Sequence, residues 1–235
     1  MKAHARVVAE LAGGRTVLRE LESMAPLMLV PHRGKPGLVR LVSSASAPLG
    51  GDELELSLVA GPGAHLRVAG VAASLVLPGQ RPGVSSFTVR VQAAESSTVE
   101  YLPEATIVTQ RARHEAFFQA SLAADARLST REILVLGRDG EPPGRVVTSM
   151  IVRRAGRPVL NQRLDVGELG TSPAVLAGRR VLATEVRVGY GDPPGPVAND
   201  WASLVPLAAG GTLATALAHD AVTAAHLLDQ LDRSG

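Results

Sequence analysis

The chain has 235 residues, enough for one large domain with its own apolar core. Hydrophobic residues make up 46% and charged residues 20%, which is typical of a globular protein and excludes a disordered tail. With a net charge of +2 and 3% aromatic residues, neither nucleic-acid binding nor base stacking is expected. The absence of cysteine excludes disulfides, zinc–thiolate sites and thiol catalysis, and fits a cytoplasmic protein.

Alternation of apolar and polar residues predicts strands along most of the chain. Gly13-Gly14 separates two such runs and predicts an opening hairpin over residues 6–21. The segment 49–70 predicts two half-buried strands joined by a tight turn at Gly61-Pro62-Gly63. Further strands are predicted at 87–91, 146–153, 159–164 (a hairpin around Ala155-Gly156) and 181–190. Residues 26–42 are predicted to be loop with short strands, and residues 192–196 to be loop.

Three of the predicted hairpins share one pattern of strand, alanine, small polar turn and strand. The apolar residues after the turns are Leu66, Val99 and Leu128, at spacings of 33 and 29 positions. A period of about 30 residues predicts stacked β-units that each cover the apolar face of the next. Shared hairpin composition is the alternative explanation. The three segments are LSLVAGPGAHLRV, VRVQAAESSTVEYL and QASLAADARLSTRE.

One helix is predicted, at the end of the chain. Asp220 can cap it, and an apolar stripe follows. The predicted fold is therefore mostly β, with stacked hairpins in a superhelical or two-layer arrangement, one or two helices, and a single domain over residues 1–235. The predicted stripe consists of Val222, Leu227, Leu228 and Leu231.

No enzyme motif is present. Leu66 stands where the third glycine of a dinucleotide-binding G-x-G-x-x-G loop would be. Neither a P-loop nor a G-x-S-x-G motif occurs. The six histidines lack metal-binding spacing. The basic cluster Arg111, Arg113 and His114 is predicted to be a solvated strand face.

Three carboxylates stand in apolar or glycine-rich surroundings: Asp52, Glu104 and Glu132. Burial of an acid is costly unless it is paired or binds a cation. Glu132 can instead pair with Arg131 or Arg138, Asp52 can be a turn acid that accepts backbone N–H groups, and Glu104 can lie on a turn surface. A hydrolase would need an acid–base pair among the three.

The segments LGGDELELSLVAGPGAHLRV, STVEYLPEATIVTQRAR and REILVLGRDGE resemble, in order and spacing, the UreD (UreH) family of urease accessory proteins. The hairpin RRAGRPVLNQRL and the closing helix are also similar. The resemblance implies a β-rich superhelix with two helices. It also implies a cytoplasmic, non-enzymatic chaperone that binds the urease apoprotein, a UreF-type helical protein and, through it, a UreG-type GTPase, without nucleic acid or membrane.

The resemblance further implies nickel insertion, with transient Ni²⁺ passing through an internal tunnel and no tightly bound cofactor. Asp52 stands where the family has its G-G-D acid, and Asp52, Glu104 and Glu132 are then candidate weak transit ligands. The chain departs from the family over Ala69–Leu75, where polar residues and a lysine are common. The uncharged stretch Trp201–Ala218, interrupted by proline and glycine, is predicted to lie partly at the interface with the helical partner rather than in a membrane. An unrelated β-rich binding or structural protein is the alternative.

Overall fold

In the computed structural model, which describes residues 1–80, 82–167, 173–191 and 195–233, the chain forms two β-sheets that face each other across an apolar core. The seven-stranded sheet has the order β14-β13-β11-β8-β5-β1-β2. The eleven-stranded sheet has the order β16-β17-β18-β15-β12-β9-β6-β4-β3, with β7 and β10 beside it. The strands are β1 (Lys2–Ala12), β2 (Arg15–Glu22), β3 (Leu27–Pro31), β4 (Leu38–Ser43), β5 (Glu53–Ala60), β6 (His65–Gly70), β7 (Ser74–Val76), β8 (Ser85–Ala93), β9 (Thr98–Leu102), β10 (Thr106–Val108), β11 (Arg113–Leu122), β12 (Arg127–Leu136), β13 (Arg145–Arg154), β14 (Arg157–Val166), β15 (Val181–Val188), β16 (Val197–Ala198), β17 (Ala202–Pro206) and β18 (Thr212–Ala218); the helices are α1 (Pro173–Leu176) and α2 (Ala221–Arg233).

The three repeated units are arches rather than paired hairpins, so this part of the prediction is wrong. In the first unit, β5 lies in the seven-stranded sheet and β6 in the eleven-stranded one, and the pairs β8–β9 and β11–β12 repeat this arrangement. Alternation shows which side of a strand is apolar, but not whether the next strand pairs beside it or lies opposite it. Here the leucines of β5 and the apolar residues of β6 meet across the core.

The stacking predicted from the repeat is confirmed residue by residue. Leu66 of β6 pairs in parallel register with Val99 of β9, and Val99 with Leu128 of β12. All three side chains are fully buried. The spacings of 33 and 29 positions are thus the lengths of successive turns of a β-solenoid-like stack, whose parallel strands bury one face against the opposite sheet.

Both predicted glycine-containing hairpins form. Strands β1 and β2 pair antiparallel around Gly13-Gly14, and β13 and β14 around Ala155-Gly156. All four turn residues have positive φ, as tight hairpins require. The strand predicted at 181–190 is β15, and the region 26–42 contains the short strands β3 and most of β4. Residues 192–194 of the predicted loop lie outside the described part of the chain.

Helix α2 is capped as predicted, because Asp220 Oδ1 accepts a hydrogen bond from the Thr223 backbone N–H at 2.8 Å. Its buried stripe is Ala224, Leu228 and Leu231, with Leu227 half-buried. Val222 was wrongly placed in that stripe, since its side chain is 80% exposed. Residues two positions apart do not share a helix face, and the docked face contains Ala224.

The uncharged stretch Trp201–Ala218 forms the antiparallel pair β17–β18. Alternate residues of this pair are buried beneath α2 in one apolar cluster, which accounts for much of its apolar composition. In the part of the chain that the structure describes, no helix is long and apolar enough to cross a membrane. The buried residues of the pair are Ala202, Leu204, Ala214, Ala216 and Ala218.

Candidate functional site

A cavity of about 290 Å³ lies between the two sheets. Its walls are mostly apolar and come from both sheets, for example Leu54, Phe87 and Met150 on one side and Tyr101 on the other. Exposed residues also line it, among them 71–73 and Glu104, so the cavity reaches solvent on that side. The sequence departure at Ala69–Leu75 therefore gives this mouth an apolar side at residues 71–73, beside the Glu104 carboxylate.

The mouth exists because neighbouring strands break while β12 continues. Strand β12 pairs with β9 up to Thr130 and with β10 from Leu134 onwards. Within the described part of the chain, no strand pairs with residues 131–133 on that side, and Glu132 is at the middle of this gap. A Cβ atom on Gly70 would lie 2.6 Å from the Glu104 backbone nitrogen, so glycine allows the two connections to cross closely at the mouth.

Glu132 reaches across the interior to the opposite sheet. The Thr148 hydroxyl of β13 donates to its carboxylate, with Oγ1 at 2.8 Å from Oε2 and 3.0 Å from Oε1. Burial raises the pKa of Glu132 to about 7, and the Thr148 hydrogen bond opposes part of that rise. Its side chain is only half-buried by surface area because it faces the cavity and a second one of about 10 Å³.

The alternative in which Glu132 forms an ion pair with a neighbouring arginine is wrong. Arg131 points to the other face of β12, where its Nε is 2.6 Å from Glu185 and its Nη2 is 2.6 Å from Asp229 of α2. Arg138 pairs with Glu141 at 3.0 Å. Arg131 thus links β12 to α2, and Arg138 stabilises a turn. The Glu132 carboxylate faces the cavity instead.

Asp52 lies outside the cavity lining. It is 5% exposed, and its carboxylate accepts hydrogen bonds from the Leu49 N–H at 2.8 Å and the Met1 amino group at 2.5 Å. These contacts agree with the alternative in which Asp52 is a turn acid that accepts backbone N–H groups. The structure thus brings Glu104 and Glu132 to one cavity, Glu104 at its exposed mouth and Glu132 inside, and keeps Asp52 apart.

His114 was wrongly predicted to be solvated. It is 3% exposed, lines the cavity, and has Nδ1 at 2.9 Å from the Ser85 hydroxyl. Burial lowers its pKa to about 4, against a smaller opposing effect of a hydrogen bond to the Ser85 backbone, so the imidazole is neutral at pH 7. Arg111 and Arg113 are exposed as predicted. The sequence signal that could have predicted the burial of His114 is its position four residues before Phe118, which puts both side chains on the inward side of β11.

Tyr101 is another polar residue of the lining. Its ring stacks on Phe118 of the opposite sheet, with centroids 6.1 Å apart. Burial, and then the nearby Glu132 charge, raise the pKa of its hydroxyl. Among the described residues, no group of three histidine or acidic side chains is arranged to hold a metal ion. The lining therefore offers dispersed donors, among them the carboxylates of Glu104 and Glu132, the imidazole of His114 and the phenol of Tyr101.

The fold and the cavity define a β-superhelical protein with a solvent-connected interior that carries isolated polar groups. The family model of the UreD urease accessory protein matches residues 1–232, and the chain belongs to this family. Relatives include urease accessory protein UreD 1 of Saccharopolyspora erythraea, 52% identical over 233 residues, which cover 95% of this chain and 91% of that protein. The UreD proteins of Streptomyces coelicolor and Parafrankia are 40% and 38% identical, over 97% and 98% of this chain and 94% and 88% of theirs. The family resemblance of the sequence motifs is thereby confirmed.

Proposed function

We propose that this chain is a non-catalytic scaffold of urease maturation. It binds the urease apoprotein and brings to it a UreF-type helical protein and, through that protein, a UreG-type GTPase. Family membership supports the role in urease maturation. A carboxylate-dependent hydrolase would need an acid–base pair at one place, which Asp52, tied to a turn and to Met1, does not supply. Glu104 and Glu132 share the cavity and are the pair on which that alternative would rest.

Ni²⁺ is the cargo of the proposed scaffold, and the cavity is its route. The observation that supports this proposal is the position of Glu132, a carboxylate inside an apolar cavity at a gap in the sheet, with Glu104 at the mouth. Single oxygen ligands hold a divalent transition metal more weakly than a cluster of thiolates or imidazoles. A passage needs sites that bind strongly enough to admit an ion and weakly enough to release it.

The test is co-expression of the chain with urease subunits and both partner proteins, followed by measurement of pulled-down urease and its nickel content. Glu132→Gln should keep urease binding, because the side chain faces inward, and should lower the nickel content. Glu95→Gln, at an exposed turn, is the matched control and should change neither. Full nickel content with Glu132→Gln would contradict the transit role, and failure of urease to co-purify with the wild-type chain would contradict the scaffold role.

A further inference from the structure

His114 is a cavity-lining residue with one ring nitrogen held by Ser85. Ser85 Oγ lies 3.3 Å from the Arg113 carbonyl oxygen, to which it donates its single proton. This leaves the hydroxyl oxygen to accept from His114, and on that basis we assign the ring proton to Nδ1 and the lone pair to Nε2. Because Nδ1 is turned toward Ser85, Nε2 lies on the opposite edge of a ring that belongs to a cavity-lining residue.

This lone pair is available at physiological pH. Metal binding requires neutral imidazole, and burial of the His114 ring among apolar side chains favours the neutral form. The hydrogen bond to Ser85 fixes the ring in the manner of the outer-shell partners that orient metal-binding histidines. The side chain is held in a rigid parallel strand between β8 and β13. His114 is therefore a pre-oriented nitrogen donor in an otherwise apolar wall.

The position of His114 relative to Glu132 follows from the register of the seven-stranded sheet. Thr148, which contacts Glu132, pairs with Ala116, two residues along β11 from His114. With strands about 4.8 Å apart and a rise of about 3.3 Å per residue, the Cα atoms of His114 and Thr148 are roughly 8 Å apart. The nitrogen donor and the carboxylate are thus successive positions along one cavity.

We propose that His114 is the specificity-determining ligand of this cavity, through which Ni²⁺ or a similar borderline transition-metal ion is preferred over Mg²⁺ and Ca²⁺. Carboxylates and hydroxyls alone favour Mg²⁺ and Ca²⁺, whereas imidazole suits nickel, copper and zinc. One imidazole adds preference without forming a trapping cluster. The choice of Ni²⁺ as the cargo rests on the proposed function, but the site itself does not.

The test uses the full-length purified chain with NiCl₂ and MgCl₂ as probes. Ni²⁺ is paramagnetic, so it should broaden the NMR signals of the His114 ring in the wild-type chain before those of the exposed His65, and a hundredfold excess of Mg²⁺ should not reverse this. In His114→Asn, the amide replaces Nδ1 toward Ser85 while Nε2 is lost. We expect at least a tenfold weaker Ni²⁺ affinity by calorimetry and unchanged Mg²⁺ affinity, with His65→Asn as the control.

The proposal is overturned if His114 signals are the last to broaden, or if a folded His114→Asn chain binds Ni²⁺ as well as the wild type. The broadening experiment needs no variant, so it decides even if His114→Asn fails to fold. Loss of urease pull-down with intact Ni²⁺ broadening at His114 would overturn the proposed scaffold function and leave the site standing. Normal urease maturation without Ni²⁺ broadening of the His114 signals would overturn the site and leave the scaffold function standing.

Discussion

Replacing Glu132 by Gln should stabilise the protein at alkaline pH and not at acidic pH. The folded-state pKa of Glu132 is about 7, against an ordinary value of 4.5. Below pH 4.5 the carboxyl is protonated in both states, so its burial costs little. Above pH 7 the folded protein must hold the ionised form, and the gap between the two values corresponds to up to about 3 kcal/mol of lost stability. Gln cannot ionise and escapes this loss.

His114 makes the comparison sharper because its effect has the opposite sign. Its folded-state pKa is about 4, against 6.5 ordinarily, so between these values the unfolded chain binds a proton that the folded protein does not. Stability therefore rises with pH over this window, whereas the Glu132 contribution falls between pH 4.5 and 7. The two slopes oppose each other between pH 4.5 and 6.5 in the wild type. Glu132→Gln should leave the rising His114 contribution unopposed.

The assay is urea denaturation of the wild-type chain and Glu132→Gln at pH 4.5, 5.5, 6.5 and 8. The difference in unfolding free energy should grow with pH in favour of the variant. Glu95→Gln, at an exposed turn, should give a small and constant difference. A pH-independent difference for Glu132→Gln would refute the raised pKa and indicate a well-hydrated carboxylate. A loss of stability at pH 8 would instead indicate an ion pair.

Three further substitutions test other parts of the structure, and an expression experiment tests the predicted interface. Gly70→Ala should cost about 1–3 kcal/mol by urea denaturation, because its Cβ would meet backbone at 2.6 Å; an unchanged midpoint would mean that the mouth can widen. Asp220→Ala should cost about 1 kcal/mol through the lost α2 cap, with exposed Val222→Ala as a near-neutral control. Asp52→Asn should lower stability by roughly 1–3 kcal/mol, because the neutral amide loses the ion pair with the Met1 amino group, and it should leave urease nickel content unchanged. A nickel defect in a stable variant would return Asp52 to the passage. The β17–β18 pair, where Val205 is exposed, is predicted to lie at the interface with the helical partner. The chain expressed alone should then be poorly soluble and should become soluble when co-expressed with that partner. A monodisperse monomer at high concentration would contradict this.

The sequence by itself determined the strands, the repeat and the family. Alternation located most strands because one face of each is buried, and the spacing of Leu66, Val99 and Leu128 matched the register because stacked turns must align their apolar residues. Gly13-Gly14 and the Asp220 cap were readable because turns and helix ends depend on local chemistry. Glu132 was predicted to share a strand face with Leu134 and Leu136, and it lies with these buried leucines on the interior side of β12.

Only the tertiary structure decided which strands lie side by side and what each buried polar group meets. Arches and hairpins have the same local pattern, so the two-sheet arrangement depends on long-range pairing that alternation does not encode. His114 follows the exposed Arg113 directly, and it becomes a cavity residue only because β11 turns that side toward the opposite sheet. Asp52 and Glu132 look alike in sequence, yet one is tied to a turn and to Met1 while the other borders a gap between β9 and β10. Local patterns determine the face on which a side chain lies, whereas its partners are determined by strands that are distant in the sequence.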